Sequence, residues 1–559
     1  MRRTAASLLL IAGSLLVDLA SVVVAQEAAD PTSDNGSALI DQSTLPTATE
    51  SKGSRPQADD SVLPAASKTL SENLDALLAP PSLALPNKPD QVRIRELRPL
   101  TLAEVEQLAE FNNPQLKAVA LQVQQAKASL RAAISSWYPT LNLRANGLPQ
   151  YLGGERQTFD QRNTSDVRTI TEQWSANFTA QLNWNLIDPA RVPQISAARD
   201  TFERARDSYL IALRELRLTV AQAYYNLQRF DEQVNVGKQS VSASLVSLRQ
   251  ARARYQAGVA TKLEVLEAET QLSRDRDLLT ENLRLQSGAR RNLAKITDLP
   301  QDVTPTAASP SRVVGLWQPS MQESIIAAYA FREELDQFIL DISINNSNAN
   351  AALSAVQPSL TIFNDFNAGR TQGEANVSSP VEQQVYGWNM GNTVGLLGTW
   401  NIFDGGRARA QYRRDKLRAE ASAYEFANQR GAIRLEVEQS FYDLKANQQT
   451  IRTASRAVIS QREALRLARL RFQAGVTTQR EVVDNQRDLT RAQQTYANAV
   501  ADYNITIAEL RRFTGLDQVV SCPSPDLPAD KAQPSASEEV PIEPSPIIPA
   551  CEASLLGSR

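Results

Sequence analysis

The sequence contains no histidine among its 559 residues. This absence removes the commonest general base, the usual zinc ligand and every Ser-His or Cys-His nucleophile arrangement. The sequence also has no glycine-rich phosphate loop and no motif of a carboxylate-only enzyme. We therefore expect no catalytic residue, no metal site and no cofactor.

Long apolar runs are also missing beyond the N-terminus. No later segment approaches the roughly 20 continuous apolar residues of a transmembrane helix, so a mature chain that crosses a membrane must do so by strands. The 59 Lys and Arg residues are interspersed with 62 Asp and Glu residues, which gives no basic surface for nucleic acid. Cysteine occurs only as Cys522 and Cys551, which can pair in an oxidising compartment or remain as free thiols.

The first 25 residues have the order of a secretory signal peptide. Arg2 and Arg3 precede an apolar run from 5 to 17, and small residues lead to Ala25, after which we expect cleavage. Asp18 interrupts the run and leaves it too short for a membrane anchor. No cysteine lies near the cleavage site, so a lipid anchor has no acceptor there.

The rest of the chain divides by composition into five segments. Residues 26–95 form a Ser/Pro/Asp-rich leader and 518–559 a Pro/Ser-rich tail, and both lack periodicity, which predicts disordered or extended chain. Between them lie two similar halves, 96–300 and 319–517, joined by a linker at 301–318.

The internal repeat is the most informative feature of the sequence. The segment Trp184–Asp188 (WNLID) recurs as Trp400–Asp404 (WNIFD), and Arg254–Val259 (RYQAGV) recurs as Arg471–Val476 (RFQAGV). The second pair is offset by 217 residues (471 − 254), and this offset continues without a gap into the following segment. Each half is therefore one copy of the same structural unit.

Each half predicts a long helical hairpin. Residues 194–257 contain no proline and one glycine, and an unbroken helix of that length would extend about 95 Å. Apolar residues in steps of three and four form a heptad seam there and in the second half. The seam positions are Leu213, Leu216, Val220, Ala223, Leu227, Phe230 and Val234, then Ile433, Val437, Ser440 and Leu444. Gly258 and Gly475 end the pattern and mark the turns.

Each half also predicts two strands. Apolar and polar residues alternate from Trp174 to Leu186 and from Val394 to Ile402, and shorter runs after Pro139 and Pro358 supply partners. This pattern is typical of an outer-membrane barrel, although a half-buried strand of a soluble sheet shows it too. Four strands cannot close a barrel, so either the sheet is soluble or several protomers share one barrel.

From about Leu100 to Leu516 the sequence resembles the TolC family of outer-membrane efflux proteins. The segments Leu100–Glu104 and Asn112–Leu116 resemble the first helix of that family. The two Trp-Asn segments resemble its strand-to-helix junctions, and the two Gln-Ala-Gly-Val segments resemble its periplasmic turns. Together these motifs are specific, whereas any one of them alone would be a weak match.

The resemblance implies a mainly α protein with a membrane β-barrel. Each chain of a homotrimer would give four strands to a twelve-stranded barrel and long helical hairpins to a periplasmic tunnel. The implied function is a passive outer-membrane conduit of a tripartite efflux or type I secretion system, exporting small molecules or polypeptides. Its implied partners are a periplasmic adaptor (membrane-fusion protein), an inner-membrane pump and outer-membrane lipid. The alternative is a periplasmic coiled-coil adaptor or structural protein without a barrel.

The resemblance also implies two groups of functional residues. Glu481 and Asp484, three apart on one helix face, match a constricted periplasmic entrance, where three copies would bring six carboxylates together and attract cations. An ordinary solvated helix face is the alternative. The same entrance group includes Phe472, where the family often has tyrosine, and the first-half residues Glu264 and Glu267. The second group is the adaptor-contacting hairpin tips: Gly258, Val259, Gly475 and Val476.

Overall fold

The computed structural model describes residues 70, 72–160, 165–377, 384–516, 519–521 and 551. The predicted signal peptide and most of the predicted leader lie outside these residues. The first half comprises β1 (Glu96–Leu100), α1 (Leu102–Asn112), α2 (Pro114–Ile134), β2 (Thr140–Asp160), β3 (Ser165–Ile187), α3 (Arg191–Gln256) and α4 (Lys262–Ile296). The segment after it contains β4 (Val303–Ala307) and β5 (Gly315–Trp317). The second half comprises α5 (Met321–Phe331), α6 (Glu333–Leu353), β6 (Ser359–Val377), β7 (Gln384–Thr399), α7 (Arg407–Gln473) and α8 (Gln479–Thr514), and β8 (Val519–Ser521) follows it.

The predicted helical hairpins are confirmed. Helix α3 has 66 residues and α7 has 67, so each extends about 100 Å at 1.5 Å per residue. α3 packs antiparallel on α4, and α7 on α8. The seam residues Leu213, Val220, Leu227, Ile433 and Val437 are buried, and each fully buried side chain of this kind contributes about 2 kcal/mol.

Local sequence fixes where the shorter helices begin. Thr101 and Glu104 form a capping box at the start of α1, and Ser320 and Glu323 do the same for α5. The Asn113 side chain accepts a hydrogen bond from the backbone of Leu116, with proline in the first turn of α2. The same capping box therefore opens α1 and α5, whereas α6, the counterpart of α2, begins without a side-chain cap.

The four predicted strands form one antiparallel sheet in the order β2-β3-β6-β7. Trp184 pairs with Ile362, and Ile362 pairs with Leu396, so the apolar alternation continues across three strands. The strands are longer than expected, at 16 to 23 residues. Trp400 and Ile402 lie beyond the end of β7, so the predicted strand reaching Ile402 is wrong at that end.

Part of the predicted leader is ordered. Glu72–Leu77 is a short 3-10 helix in which Leu74 and Leu77 are buried in the same core as Leu108. The Asn112 side chain donates to the carbonyl of Leu77 at 2.8 Å, which pairs a backbone group that burial would otherwise leave unpaired. The expectation of disordered or extended chain is therefore wrong for these residues. Burial of two leucines is enough to order the segment, which is too short to show a periodic pattern.

The linker and the tail also contribute structure. β4 and β5 lie within the predicted linker: β4 pairs in parallel with β1, and β5 pairs antiparallel with β8 of the tail. Cys551 packs against the apolar cluster around Tyr503 and is disulfide-bonded. Cys522, the chain's other cysteine, lies outside the described residues. The expectation of an unstructured tail is therefore wrong for Val519–Ser521.

Candidate functional site

The two hairpins reverse with the same geometry. Gly258 and Gly475 both have φ of +75°, a conformation that L side chains rarely adopt. The amide of Val259 donates to the carbonyl of Arg254 at 3.0 Å, and the amide of Val476 donates to that of Arg471 at 2.9 Å. These bonds close the helix ends, and they leave both valine side chains more than 60% exposed at the tips.

Beyond the turns the two hairpins differ. Glu264 forms a capping box with Thr261 at the start of α4. Its counterpart Glu481 makes no such box, since its carboxylate pairs with Arg471 at 2.9 Å and accepts a hydrogen bond from the Thr477 hydroxyl. Ala260, which corresponds to Thr477, has no hydroxyl to donate. The ion pair between the helices of the second hairpin therefore lies close to the turn, whereas the corresponding pair of the first hairpin, Arg252 with Glu269 at 3.8 Å, lies further from its turn.

Asp484 is also surrounded by arginine. Its carboxylate lies 3.3 Å from Arg487 and 3.9 Å from Arg480, and these side chains are 42 to 76% exposed. Exposed pairs of this kind contribute at most about 1 kcal/mol. The two predicted entrance carboxylates are thus charge-compensated within their own chain, which the prediction of a bare acidic ring did not include.

Phe472 does not line an exposed surface. It is 5% exposed and packs with Val482 and Leu489 in the core of the second hairpin. The guanidinium of Arg254 lies 4.5 Å from the centre of its ring, a distance typical of a cation–π contact. Within one chain Phe472 therefore packs in the second hairpin and against Arg254 of the first, and its place at the entrance stays a prediction. Glu267 is half-buried on α4.

A cavity of about 420 Å³ lies between the two hairpins. Most of its lining side chains are uncharged and polar, and they include Gln239, Ser242, Ser247, Gln250, Gln271 and Gln486. Gln479, at the start of α8, is buried and donates to the hydroxyl of Ser247. The hairpins therefore meet through hydrogen-bonding side chains as well as through apolar packing.

The sheet ends in matching aromatic contacts. The indole of Trp184 donates to the carbonyl of Trp137 at 3.0 Å, and that of Trp400 donates to Val356 at 3.1 Å. The guanidinium of Arg191 lies 4.3 Å from the ring of Trp137. Side chains of Trp184 and Trp400 remain 39% and 61% exposed, as expected for amphipathic rings at a membrane interface.

A buried ion network lies where the two halves meet, and it was not predicted. Arg332 pairs with Glu334 at 3.0 Å and with Glu436, and Arg512 pairs with Glu334 at 2.7 Å and Glu215 at 3.3 Å. The arginine side chains are 4% and 7% exposed. These pairs connect α3, α6, α7 and α8, so they hold the helices of the two repeats in register.

The network shifts the pKa values of its carboxyls in opposite directions. Burial alone would raise the pKa of Glu334, but hydrogen bonds and charge from Arg332 and Arg512 outweigh it and lower the pKa to about 2. Burial raises the pKa of Glu333 above its ordinary value despite the charge of Arg214 at 2.9 Å. Glu334 is thus held ionised while Glu333 is destabilised in its ionised form.

Sequence reasoning missed the contacts made by four arginines. Arg254 and Arg471 are part of the repeated segments, yet the repeat alone does not reveal that one stacks on Phe472 while the other pairs with Glu481. The network arginines Arg332 and Arg512 have no sequence motif, because their partners come from distant helices.

Among the described residues, no helix combines the length and apolarity needed to cross a membrane. Within the same part of the chain, no cluster of three or more acidic or cysteine side chains is arranged to hold a metal ion.

Comparison with known proteins assigns the chain to a family. The model of the family described as "Outer membrane efflux protein" matches residues 105–298 and 327–516, well over half of the chain. The chain is 22% identical to the outer membrane protein TolC of Vibrio cholerae over 418 residues, covering 74% of this chain and 90% of the relative. It is 23% identical to the pyoverdine export outer membrane protein OpmQ of Pseudomonas putida, covering 73% and 84%.

A solved structure shows the same fold. The outer membrane protein VceC from Vibrio cholerae matches with a TM-score of 0.59 at 15% identity, covering 74% of this chain and 96% of that one. The two matched segments of the family model coincide with the two repeats, each with its helical hairpin and its pair of strands. The chain belongs to the outer membrane efflux protein family and is an outer-membrane protein.

Proposed function

We propose that three copies of this chain form a passive outer-membrane conduit for export from the periplasm. The observation that carries the proposal is the four-stranded sheet, whose outer strands β2 and β7 have no neighbour on one side among the described residues. Because neighbouring strands are all antiparallel and each chain supplies an even number, β7 of one copy can pair antiparallel with β2 of the next. Such a ring removes every sheet edge that would otherwise face lipid.

The helices support the same assembly. An exposed apolar stripe runs along α7 through Leu417, Tyr424, Leu435 and Tyr442, each 55 to 70% exposed. Their spacings of 7, 11 and 7 residues keep them on one face of the helix. A neighbouring copy that covers this face would bury the stripe along with the sheet edges.

Sizing of the detergent-solubilised protein tests this assembly. We expect the mass of three chains, and we expect Leu435→Glu with Tyr442→Glu to shift the population toward smaller species. Ile326→Glu is the matched control, since Ile326 is 67% exposed but lies on α5, away from the stripe. A stable monomer or dimer of the wild-type chain in detergent and in lipid would refute the shared barrel.

The hairpin tips are proposed as the contact with a periplasmic adaptor, which links the conduit to an inner-membrane pump. Val259 and Val476 expose apolar side chains on rigid turns, which suits them to docking with another hairpin. An adaptor-like protein without a barrel would instead carry one hairpin flanked by β-rich domains, whereas this chain has two hairpins and a four-stranded sheet.

We propose that Glu481 and Asp484 line the periplasmic entrance and that their arginine partners contribute to its closure. The Arg471–Glu481 ion pair joins α7 to α8 and so stabilises the closed state of the entrance at the hairpin tip. Cations compete with the arginine for the carboxylate. Glu264 and Glu267 occupy corresponding places on the first hairpin, where Glu264 is committed to its capping box.

A further inference from the structure

The two faces of the sheet differ in chemistry, and the register assigns each residue to one of them. On β3 the residues Ser175, Asn177, Thr179 and Gln181 share one face, and the apolar residues between them share the other. In the closed barrel of the proposed function, on which this inference rests, the polar face lines the lumen.

One row of residues paired across the four strands, here called a level, contains a glycine among asparagines on this polar face. Asn146 pairs with Asn177, Asn177 pairs with Gly369, and Gly369 pairs with Asn389, so all four residues share the lumen face. A Cβ atom at Gly369 would lie within 3.0 Å of the Oδ1 atoms of both Asn177 and Asn389. The two amides therefore lie across the glycine backbone, along the wall and not toward the barrel axis.

The same arrangement recurs one level closer to the periplasm. Gly391 pairs with Asn367, whose Oδ1 would lie 2.7 Å from an added Cβ atom. In both cases an asparagine side chain covers the glycine that faces it across the strands. The glycines thus provide the space in which lumen side chains lie flat.

We propose that Gly369 is a specificity-determining residue, which keeps the lumen wide by letting the Asn177 and Asn389 amides lie against the wall. In three copies, this level would carry three glycines and nine amides, counting Asn146. Any side chain at Gly369 displaces both amides, and the staggered positions left to them point further toward the axis.

The charges on the lumen face of the sheet indicate which class of cargo can pass through the barrel. Near this level Arg144 and Asp365 lie on the lumen face, one basic and one acidic, and the other residues paired with them carry amides, hydroxyls or glycine. A wall of this kind has little net charge and many hydrogen-bonding groups. It suits bulky polar solutes or extended polypeptides of either charge, so the barrel would select among them by size and not by charge.

The experiment measures access to a cysteine placed deeper in the lumen. Thr393→Cys lies on the same face as Asn389, four residues along β7 toward the periplasm, or about 13 Å. A small methanethiosulfonate and a maleimide carrying a polyethylene glycol chain are added from outside to trimers in the outer membrane. The ratio of the bulky to the small reagent's reaction rate measures the width of the lumen above the cysteine. The chain that lacks Thr393→Cys gives the background reaction of the tail cysteines.

We expect Gly369→Ala to lower the ratio of bulky to small reagent, and Asn177→Ser with Asn389→Ser to restore it in that background. Gly398→Ala is the control, because Gly398 lies on the opposite face with open space around its Cβ position. An unchanged ratio in Gly369→Ala, a fall that the serines do not reverse, or an equal fall in the control would each overturn the proposal.

A second variant tests the proposal if Gly369→Ala does not assemble. Replacing Asn177 and Asn389 by alanine in the wild-type background should leave the ratio nearly unchanged, because amides that lie flat do not narrow the bore. A large rise would show that they already project inward and would overturn the proposal. Failure of the proposed function is distinct: the wild-type chain would not form trimers, and the bulky reagent would reach Thr393→Cys as fast as an exposed cysteine.

Discussion

Replacing Arg332 by methionine should destabilise the protein through the charges it leaves behind. Arg332 is buried and is the link between Glu334 on α6 and Glu436 on α7. Methionine fills much of the same space without a charge, so packing changes little. Glu334 would keep only Arg512 as a partner, and Glu436, 39% exposed, would lose its ion pair at this joint.

The expected loss is about 3 kcal/mol. Breaking a buried pair by removing one partner costs about 3–5 kcal/mol, and the lower end applies because Glu334 retains Arg512. The pKa of Glu334, lowered to about 2, agrees in direction, because hydrogen bonds and charge from Arg332 and Arg512 outweigh the effect of burial.

Denaturant unfolding of the purified protein in detergent, followed by helical circular dichroism, measures this loss. Arg434→Met is the matched control: Arg434 pairs with Glu438 at 2.8 Å but is 63% exposed, so we expect a loss below about 1 kcal/mol. Adding Glu334→Leu to Arg332→Met should recover part of the stability only if the unpaired carboxylate is the cause. Equal losses for Arg332→Met and the control would refute the reasoning.

Three further predictions concern the tips, the entrance and acid stability. Gly475→Val should cost about 1–2 kcal/mol of local strain at φ +75° and weaken cross-linking to the adaptor while membrane insertion persists; unchanged cross-linking would make the tip purely structural. Glu481→Ala with Asp484→Ala should remove carboxylates that pair with Arg471, Arg480 and Arg487, weaken block by divalent cations and shift bilayer selectivity toward anions, whereas wild-type selectivity would place the constriction elsewhere. Because the folded-state pKa of Glu334 lies near 2, its stabilisation is present above pH 4.5 and lost as pH falls toward 2, so Glu334→Gln should show a smaller loss of stability over that range.

The repeat and its periodicities were enough to predict the helical hairpins and the four strands. Helix length followed from the absence of proline, and the strands followed from alternation between Trp174 and Leu186. The strand ends were less predictable because pairing with a neighbour extends a strand through segments without alternation. Ordering of Glu72–Leu77 depends on the burial of Leu74 and Leu77 and on a hydrogen bond from Asn112 of α1, which composition does not reveal.

The candidate site was predictable only in part. Motif matching located Glu481 and Asp484, but their charge compensation by Arg471, Arg480 and Arg487 depends on side-chain geometry. The burial of Phe472 could not be read from its position beside the turn, because the first-half counterpart Tyr255 is 48% exposed. One repeat unit thus supports different contacts in its two copies.

The length of the strands has a consequence outside the cell. The apolar alternation from Trp174 to Leu186 spans about 40 Å along β3, and a tilt near 40° reduces this to about 30 Å, the thickness of a bilayer core. The sheet continues past Trp174, where Gln173 pairs with Leu152 and Glu172 with Gly153. In the proposed orientation this part of the sheet, including Glu172 and Gln173, stands above the lipid on the outer side of the cell, where antibodies and phages reach it.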